Sequence, residues 1–259
     1  MQVSEYEVVL LRHGETLGYD GDHGLTPLGE QQARDRGAEL AAEIKPGTTV
    51  RMPHARTARA IATAVTLRAT LVDALDDGRD LGPLYPEPWF DNLRHSLHGR
   101  GADASDAVTA RLALPDGELP DWAREYDRFD SDYRSVAAAG GPIDYWLHHP
   151  TLYFEPPHVA AHRFWRGITE VGRDVGEGED LLVLVATHSA PMRAFVATAL
   201  GADPGEPHNL EPVRVRVSTG GAATVRFRDH AVDMTVPPHL PPWIDAAWFE
   251  SYGRGDRAG

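Results

Sequence analysis

The chain has 259 residues, of which 42% are hydrophobic and 25% charged, a composition typical of a globular protein rather than a disordered one. Its formal net charge of −14 repels nucleic acids and anionic membranes at long range. The sequence contains no cysteine, which excludes disulfides, thiolate catalysis and cysteine-based zinc sites.

The sequence predicts neither a signal peptide nor a membrane-spanning segment. The N-terminal residues carry neither a basic segment nor the long apolar run of a signal peptide. The apolar stretches, such as Leu181–Ala186, are too short to cross a bilayer. We therefore expect a cytoplasmic protein without a membrane or nucleic acid partner. Because the chain is acidic, any phosphate site must be a local cluster of positive charge.

The first part of the chain alternates strand and helix patterns. An aliphatic run, Glu7–Leu11, predicts a buried strand that ends at Arg12-His13-Gly14. Thr26 and Pro27 have the residue types of a helix N-cap and first position, and that helix is expected to stop at Pro46-Gly47. The segments predicted after it are a strand at Thr48–Met52, a helix at Ala55–Leu67 and a third strand at Leu71–Leu75.

The middle and the end of the chain differ in composition and in hydrophobic periodicity. Residues 82–163 are rich in proline and aromatic residues and lack clear periodicity, which favours an insertion that packs over the catalytic edge of a sheet. Leu181–Thr187 is the clearest strand pattern and ends at His188. A helix at Pro191–Leu200 follows, and then a closing pair of strands at Val213–Ser218 and Ala223–Arg228.

This alternation predicts an α/β fold, specifically a three-layer α/β/α sandwich with a mostly parallel central sheet. We expect one domain over residues 1–259, with the inserted cap or lid at roughly 82–163. Ligands of such sheets bind at the carboxyl ends of the strands. His13 and His188 each follow a predicted strand directly, which is the first indication of a functional site.

Four segments occur in the order found in one known family. They are Leu10–Thr16 (LLRHGET), Leu25–Gly29 with Gln32-Ala33, Pro53–Ala58 (PHARTA) and Val183–Arg193 (VLVATHSAPMR). The second and third are similar to family patterns written LTxxGxxQA and SPxxRAxxTA. Together the segments resemble the histidine phosphatase superfamily, also called the phosphoglycerate-mutase-like fold. The resemblance covers roughly residues 1–80 and 180–228.

The resemblance implies a role for each matched residue. His13 is expected to attack phosphorus and become a phosphohistidine, since a neutral imidazole is a competent nucleophile. Arg12 and Arg56 are expected to hold the phosphate oxygens, because guanidinium groups match phosphate geometry and keep their charge. His188 is expected to stabilise the transferring group. Thr16 is expected to donate a hydrogen bond to a phosphate oxygen or within the His13 loop.

The proton donor is inferred from position. The family places an acid in an "LxE" pattern shortly after the third strand, and Leu75-Asp76-Asp77 stands at the corresponding place here. Asp77 is therefore the candidate, with Asp76 and Asp80 as alternatives. The chain also carries Tyr19 where the family often has an asparagine that contacts phosphate.

We therefore predict a phosphoric monoester hydrolase that acts on a small phosphorylated metabolite, without metal or cofactor. The alternatives are a phosphoglycerate-mutase-type isomerase that uses the same residues and a non-catalytic module that binds a phosphorylated ligand. A metal hydrolase built on the histidine-rich insertion, in which His158 and His162 are four residues apart, is a further alternative. The sequence does not identify the substrate or the oligomeric state.

Overall fold

The computed structural model describes residues 4–19, 21–75, 80–97, 100–115, 117–134, 141–149 and 152–238. The strands are β1 Glu5–Arg12, β2 Thr49–His54, β3 Asp80–Pro86, β4 Arg94–Leu97, β5 Arg100–Asp103, β6 Leu181–Thr187, β7 Pro212–Ser218, β8 Ala222–Phe227 and β9 His230–Thr235. The helices are α1 Pro27–Glu43, α2 Ala58–Ala74, α3 Ala104–Leu112, α4 Asp121–Arg134, α5 Gly141–His148, α6 Pro157–Val171 and α7 Ser189–Leu200.

The central sheet has seven strands in the order β3-β2-β6-β1-β7-β8-β9. The first four strands run parallel, and β7, β8 and β9 continue the sheet antiparallel. The predicted α/β class with a sheet that is parallel in its centre is confirmed. Of the closing strands, β7 and β8 match the predicted pair, whereas β9 was not predicted.

The sheet separates two hydrophobic cores, which gives the expected three layers. Alternate residues of β1 point to opposite faces because a strand has a side-chain period of two. Val9 and Leu11 pack in the core that contains residues of α1 and α2, whereas Val8 and Leu10 pack in the core that contains residues of α6 and α7.

Helix α1 begins as its sequence predicts. The Thr26 side chain accepts a hydrogen bond from the Gly29 N–H, and Pro27 is the first helical residue. Helix α2 has the same type of start, since Thr57 accepts from the Ala60 N–H. It continues to Ala74, so the predicted strand at Leu71–Leu75 is wrong: this aliphatic run forms the last turn of a helix.

The third strand of the parallel set is β3, nine residues after the predicted start. It pairs only with β2 among the described strands and so lies at the edge of the sheet. Its Pro83 and Pro86 lack an N–H, and edge strands tolerate such residues because one side needs no ladder partner.

Residues between β3 and α6 form the insertion, which contains the β4–β5 hairpin and helices α3, α4 and α5. Its aromatic core packs against residues of α6 and α7, and it includes Trp146 and Phe154. The buried Arg163 of α6 holds the start of the insertion, because it donates to the carbonyls of Trp89, Asp91 and Asn92. The single domain and the insertion expected at roughly 82–163 stay predictions, and that span also includes part of β3 and part of α6.

Within the described residues, no helix combines the length and the apolar character required to span a membrane. The proline- and aromatic-rich end of the chain from residue 239 onward lies outside those residues.

Candidate active site

The two predicted histidines meet at the carboxyl edge of the sheet. His13 follows β1 and His188 follows β6, and these strands are parallel neighbours with Arg12 paired to Thr187. The ring centroids are 5.3 Å apart in an edge-to-face arrangement, and each residue is only 2% exposed. Two histidines 175 positions apart in the chain are thus brought into one buried site by strand adjacency.

His13 is held in one orientation. Its Nδ1 lies 2.7 Å from the Gly14 carbonyl oxygen. A carbonyl only accepts, so Nδ1 carries the proton, and Nε2 of the neutral ring is left with a free lone pair. The main chain of His13 is fixed by the Thr187 carbonyl at 2.9 Å and by the Asn209 side chain at 2.7 Å. The ring is therefore held with Nε2 unprotonated.

The protonation state of His13 follows from its surroundings. Burial lowers its pKa to about 3, and the positive charges of Arg59 and Arg12 act in the same direction. The hydrogen bond to Gly14 opposes them only in part. At neutral pH the ring is uncharged, which is the form that can attack phosphorus.

His188 is also held neutral. Burial comes first among the causes that lower its pKa, followed by the charges of Arg59, His13, Arg163 and Arg12. Its Nε2 lies 3.2 Å from the Thr57 hydroxyl, while its buried Nδ1 has no hydrogen-bond partner among the described residues. His188 also caps α7, where the positive end of the helix dipole favours a neutral ring and a nearby anion.

The glycine after His13 allows two loops to pack closely. A Cβ on Gly14 would lie 2.5 Å from the Gly29 carbonyl oxygen, and a Cβ on Gly29 would lie 2.2 Å from the Glu15 carbonyl oxygen. The Gly14 N–H donates to the Thr63 hydroxyl of α2 at 3.0 Å. The His13 loop is thus fixed against the starts of α1 and α2.

Arg12 lies in the site as predicted. Its Nη2 donates to the Tyr19 hydroxyl at 3.3 Å, and its Nη1 contacts the Pro207 carbonyl at 2.6 Å and Glu206 at 2.8 Å. Its buried Nε lacks a partner among the described residues. Tyr19, whose ring lies 6.3 Å from that of His13, stands at the mouth of the same site.

Arg56, the second predicted phosphate-binding arginine, lies elsewhere. Its side chain is 59% exposed and forms a bidentate pair with Asp91, at 2.9 Å from Nε and 2.5 Å from Nη2. The hydrogen bond to Asp91 raises the pKa of Arg56. The arginine charges that lower the pKa of His13 belong to Arg59 and Arg12.

Arg59 occupies the position expected for Arg56. It lies in the first turn of α2, is 2% exposed, and its Nε and Nη1 have no hydrogen-bond partner among the described residues. The signal was present in the sequence. Arg59-Ala60 with Thr63-Ala64 fits the RAxxTA part of the family pattern letter by letter, one helical turn after the register chosen for Arg56.

Thr16 closes its own loop. Its hydroxyl donates to the Gly24 carbonyl at 2.8 Å, and its main chain pairs with Leu25. The single hydroxyl proton is thereby used within the His13 loop, the second of the two roles expected for it.

The predicted proton donors are resolved only in part. Asp77 and Asp76 lie outside the described residues. Asp80 is the first residue of β3 and pairs with Thr49, at the end of the sheet opposite the histidines. Six residues of strand separate it from the carboxyl edge, or about 20 Å. Asp80 is therefore too far away to donate a proton there.

The carboxyl group that follows the true third strand is Glu87. Its N–H donates to the His54 carbonyl at 2.9 Å, which places it at the carboxyl end of β2 and β3. Burial, and then the charges of Asp91 and Glu170, raise its pKa, while a hydrogen bond from the Trp89 N–H partly opposes the shift. A raised pKa suits a carboxyl group that donates a proton. The sequence analysis did not consider Glu87 because it predicted the third strand too early in the chain.

A candidate metal cluster lies outside this site. Asp144, His148 and Asp203 are the one group of suitable side chains within the described residues. Arg193 already pairs with both carboxylates, at 2.7 Å and 2.5 Å. This group does not include His158 or His162, so the described part of the chain offers these two histidines no third ligand.

Solved structures share this fold. The chain is similar to mycobacterial hydrolase 1, with a TM-score of 0.54, 17% identity and coverage of 88% of this chain and 100% of that one. It is also similar to YhfR of Bacillus stearothermophilus, with a TM-score of 0.52, 17% identity and coverage of 93% and 100%. A third is mycobacterial glucosyl-3-phosphoglycerate phosphatase, with a TM-score of 0.51, 17% identity and coverage of 83% and 91%.

These likenesses show a shared fold, and the α/β fold predicted from the sequence is confirmed. No protein-family model and no curated protein matches the sequence.

Proposed function

We propose that the protein is a metal-independent phosphatase that hydrolyses a small phosphate monoester through a phosphohistidine on His13. The observation that carries this proposal is a buried pair of neutral imidazoles flanked by Arg12 and Arg59, whose Nε atoms are both unpaired. Buried cationic donors without partners are costly unless a ligand satisfies them. In a chain of net charge −14, this cluster is the local positive site that a phosphate requires.

The first step transfers the phosphoryl group to the enzyme. The lone pair of His13 Nε2 forms a bond to phosphorus while the bond from phosphorus to the ester oxygen breaks. The electron pair of the broken bond goes to the leaving oxygen, which takes a proton from a carboxyl group and departs as an alcohol. The Gly14 carbonyl accepts the Nδ1–H and stabilises the phosphorylated ring.

The second step regenerates the enzyme. Water attacks phosphorus and gives its proton to the carboxylate formed in the first step, and the bond from phosphorus to Nε2 breaks. Arg12 and Arg59 neutralise the equatorial oxygens in both steps, and His188 donates from its unpaired ring nitrogen. Among the described residues, Glu87 is the carboxyl group that we assign as donor and acceptor, and Asp77 remains the alternative from the sequence.

The names of structural neighbours agree with hydrolysis. One is a mycobacterial hydrolase and another is a phosphatase that acts on glucosyl-3-phosphoglycerate. They support phosphate monoesters as the substrate class for this chain.

The experiment measures release of inorganic phosphate from p-nitrophenyl phosphate by wild type, His13→Asn and His54→Asn, with and without EDTA. His54 is a matched control, because it also ends a strand, is 7% exposed and bonds the next carbonyl through Nδ1 at 2.9 Å. We expect His13→Asn to lose at least about 10³-fold in kcat. EDTA and His54→Asn should leave turnover within a factor of about ten. Activity of His13→Asn close to that of the control would refute the proposal.

The alternatives give different results in the same assay. A phosphoglycerate-mutase-type isomerase would return the phosphoryl group to an acceptor, so 3- and 2-phosphoglycerate would interconvert with little phosphate release. A non-catalytic module would bind phosphate tightly and turn over no ester. Loss of activity in EDTA would favour a metal hydrolase.

A further inference from the structure

The hydroxyl of Thr57 contacts the second histidine of the site. Its Oγ1 lies 3.2 Å from Nε2 of His188, and both residues are buried, with exposures of 8% and 2%. Thr57 is also the N-cap of α2, the helix that carries Arg59. One hydroxyl group therefore links the start of α2 to the ring of His188. The distance fits donation in either direction, because a hydroxyl both donates and accepts.

The other contact of this hydroxyl indicates the direction. Its Oγ1 accepts the Ala60 N–H at 3.4 Å, which uses one of its lone pairs. Its single proton has one acceptor within hydrogen-bond distance among the described residues, and that acceptor is Nε2 of His188. If Nε2 donated instead, the buried hydroxyl proton would have no acceptor in the described part of the chain. The contacts therefore favour Thr57 as the donor and Nε2 as the acceptor.

An acceptor at Nε2 places the ring proton of His188 on Nδ1. Burial, followed by the charges of neighbouring arginines and of His13, holds the pKa of His188 well below its ordinary value, so the ring is neutral and carries one proton. Its Nδ1 is buried and has no hydrogen-bond partner among the described residues. A buried N–H without a partner is costly unless a ligand accepts from it. Nδ1 is thus the atom of His188 that can donate to a phosphoryl oxygen.

The opposite tautomer of His188 would not suit a phosphate. With the proton on Nε2, the buried Nδ1 would present a lone pair, and a phosphate oxygen there would meet a second acceptor. The ring would then repel the group that Arg12 and Arg59 attract. The rate of phosphoryl transfer therefore depends on which ring nitrogen carries the proton.

The family pattern assigns no role to Thr57. When RAxxTA is placed on residues 59–64, the serine and proline of the full pattern, SPxxRAxxTA, fall on Ala55 and Arg56. Thr57 falls on a position that the pattern leaves open. The hydroxyl beside His188 is thus a feature of this chain's own sequence.

We propose that Thr57 is a positioning residue for phosphoryl transfer: its hydroxyl donates to Nε2 of His188 and so keeps the ring proton on Nδ1, which donates to the transferring group. This inference rests on the proposed phosphatase function. The tautomer of His188 is a property of the resting protein and can be measured without substrate, whereas the rate depends on the phosphatase activity.

The first experiment determines the protonated ring nitrogen of His188 by NMR at neutral pH. The histidines are labelled with ¹⁵N, the His188 signals are identified by their absence from His188→Asn, and two-bond ¹⁵N–¹H correlations distinguish a protonated nitrogen from an unprotonated one. We expect a proton on Nδ1 and none on Nε2 in wild type, and an increased share of the Nε2–H form in Thr57→Val. A wild-type ring with its proton on Nε2 would overturn the inference, and the phosphatase function would stand if p-nitrophenyl phosphate is hydrolysed.

The second experiment measures kcat on p-nitrophenyl phosphate for Thr57→Ser, Thr57→Val and Thr57→Gly. Serine keeps the hydroxyl, so we expect kcat within about threefold of wild type. Valine and glycine remove the hydroxyl, and we expect each to lower kcat by about 10-fold or more. Glycine is a much better N-cap than valine, so a loss shared by both variants does not come from the start of α2.

The control is Thr70→Val, which removes another hydroxyl from the same helix. Thr70 donates to the Thr66 carbonyl at 3.0 Å and lies about 20 Å along α2 from Thr57. We expect its kcat to stay within about threefold of wild type. A loss confined to Thr57→Val, a loss in Thr57→Ser as large as in Thr57→Val, or an equal loss in the control would contradict the role of Thr57. Wild-type protein that does not hydrolyse p-nitrophenyl phosphate would instead refute the phosphatase function.

Discussion

Arg59 is the residue whose replacement best separates the structural assignment from the sequence assignment. Its Nε has no partner among the described residues and its Nη1 has only a 3.5 Å ion pair with Asp22, so both can donate to a phosphate. Hydrogen bonds to charged groups contribute about 1.5–3 kcal/mol each, so two give about 3–6 kcal/mol. Arg59→Met should therefore lower kcat/KM by roughly 10²–10⁴-fold. Arg56→Met removes the ion pair with Asp91, in which the arginine is 59% exposed, and we expect kcat/KM to change by less than about tenfold.

The assay compares both variants on p-nitrophenyl phosphate and follows thermal unfolding with and without inorganic phosphate. Arg59→Met removes a buried charge together with its ion pairs to Asp22 at 3.5 Å and Asp103 at 4.0 Å, so it should lower the melting temperature in the absence of phosphate. It should also lose most of the stabilisation by phosphate, which for wild type at 100-fold excess over Kd is about 2.7 kcal/mol.

The opposite pattern of activity in the two variants would contradict the assignment of Arg59. If Arg56→Met lost about 100-fold or more in kcat/KM while Arg59→Met stayed within about tenfold of wild type, Arg56 would be the phosphate ligand. In that case the contact of Arg56 with Asp91 would have to break when substrate binds.

Three further outcomes follow from the same geometry. Glu87→Gln should slow the hydrolysis of alkyl phosphates by about 10²-fold or more, but that of p-nitrophenyl phosphate far less, because nitrophenolate leaves without a proton. If Asp77→Asn showed this pattern and Glu87→Gln did not, Asp77 would be the proton donor. Gly14→Ala should destabilise the fold by about 1–3 kcal/mol in urea titrations, since its Cβ meets a carbonyl at 2.5 Å, whereas Gly24→Ala, with open space around it, should not. Burial lowers the pKa of His95 to about 4, so the neutral ring stabilises the insertion above pH 6.5, and this contribution is lost as pH falls toward 4. His95→Phe should reduce this pH-dependent loss of stability, measured as unfolding followed by tryptophan fluorescence. The same pH profile in wild type and variant would contradict the prediction.

The strands that carry the histidines were predictable because their sequences have a single interpretation. Glu5–Arg12 and Leu181–Thr187 are short, aliphatic and buried on both faces, as central parallel strands are. The helix start at Thr26-Pro27 was equally clear, since its cap chemistry is local.

The third strand was not predicted correctly, and the arginine that the structure buries beside the histidines is Arg59 rather than Arg56. Asp80–Pro86 contains two prolines and a glycine, which only an edge position tolerates, and edge position is a tertiary property. The aliphatic run at Leu71–Leu75 has no periodicity that separates a strand from a last helical turn. Arg56 and Arg59 are both near the start of α2. The RAxxTA pattern in register already favours Arg59, and the fold shows that Arg59 is the buried one.

The composition of residues 82–163 distinguished them from the rest of the chain, but their helices and strands could not be predicted from the sequence. Its core is a set of aromatic contacts between distant residues, such as His95 with Phe154 at 4.5 Å, and such pairs leave no periodic signal. Its Asp103 lies 4.0 Å from Nη2 of Arg59, a contact that depends on that packing and could not be read from the sequence.

The most direct test of the account is to trap the covalent intermediate. Wild-type protein is mixed with a labelled phosphate monoester, quenched in alkali within one turnover, and mapped by tandem mass spectrometry. We predict a phosphoryl group on His13 that is stable in alkali and lost in acid, and that is absent from His13→Asn. Sustained turnover with no label, or with the label on another residue, would contradict the central claim.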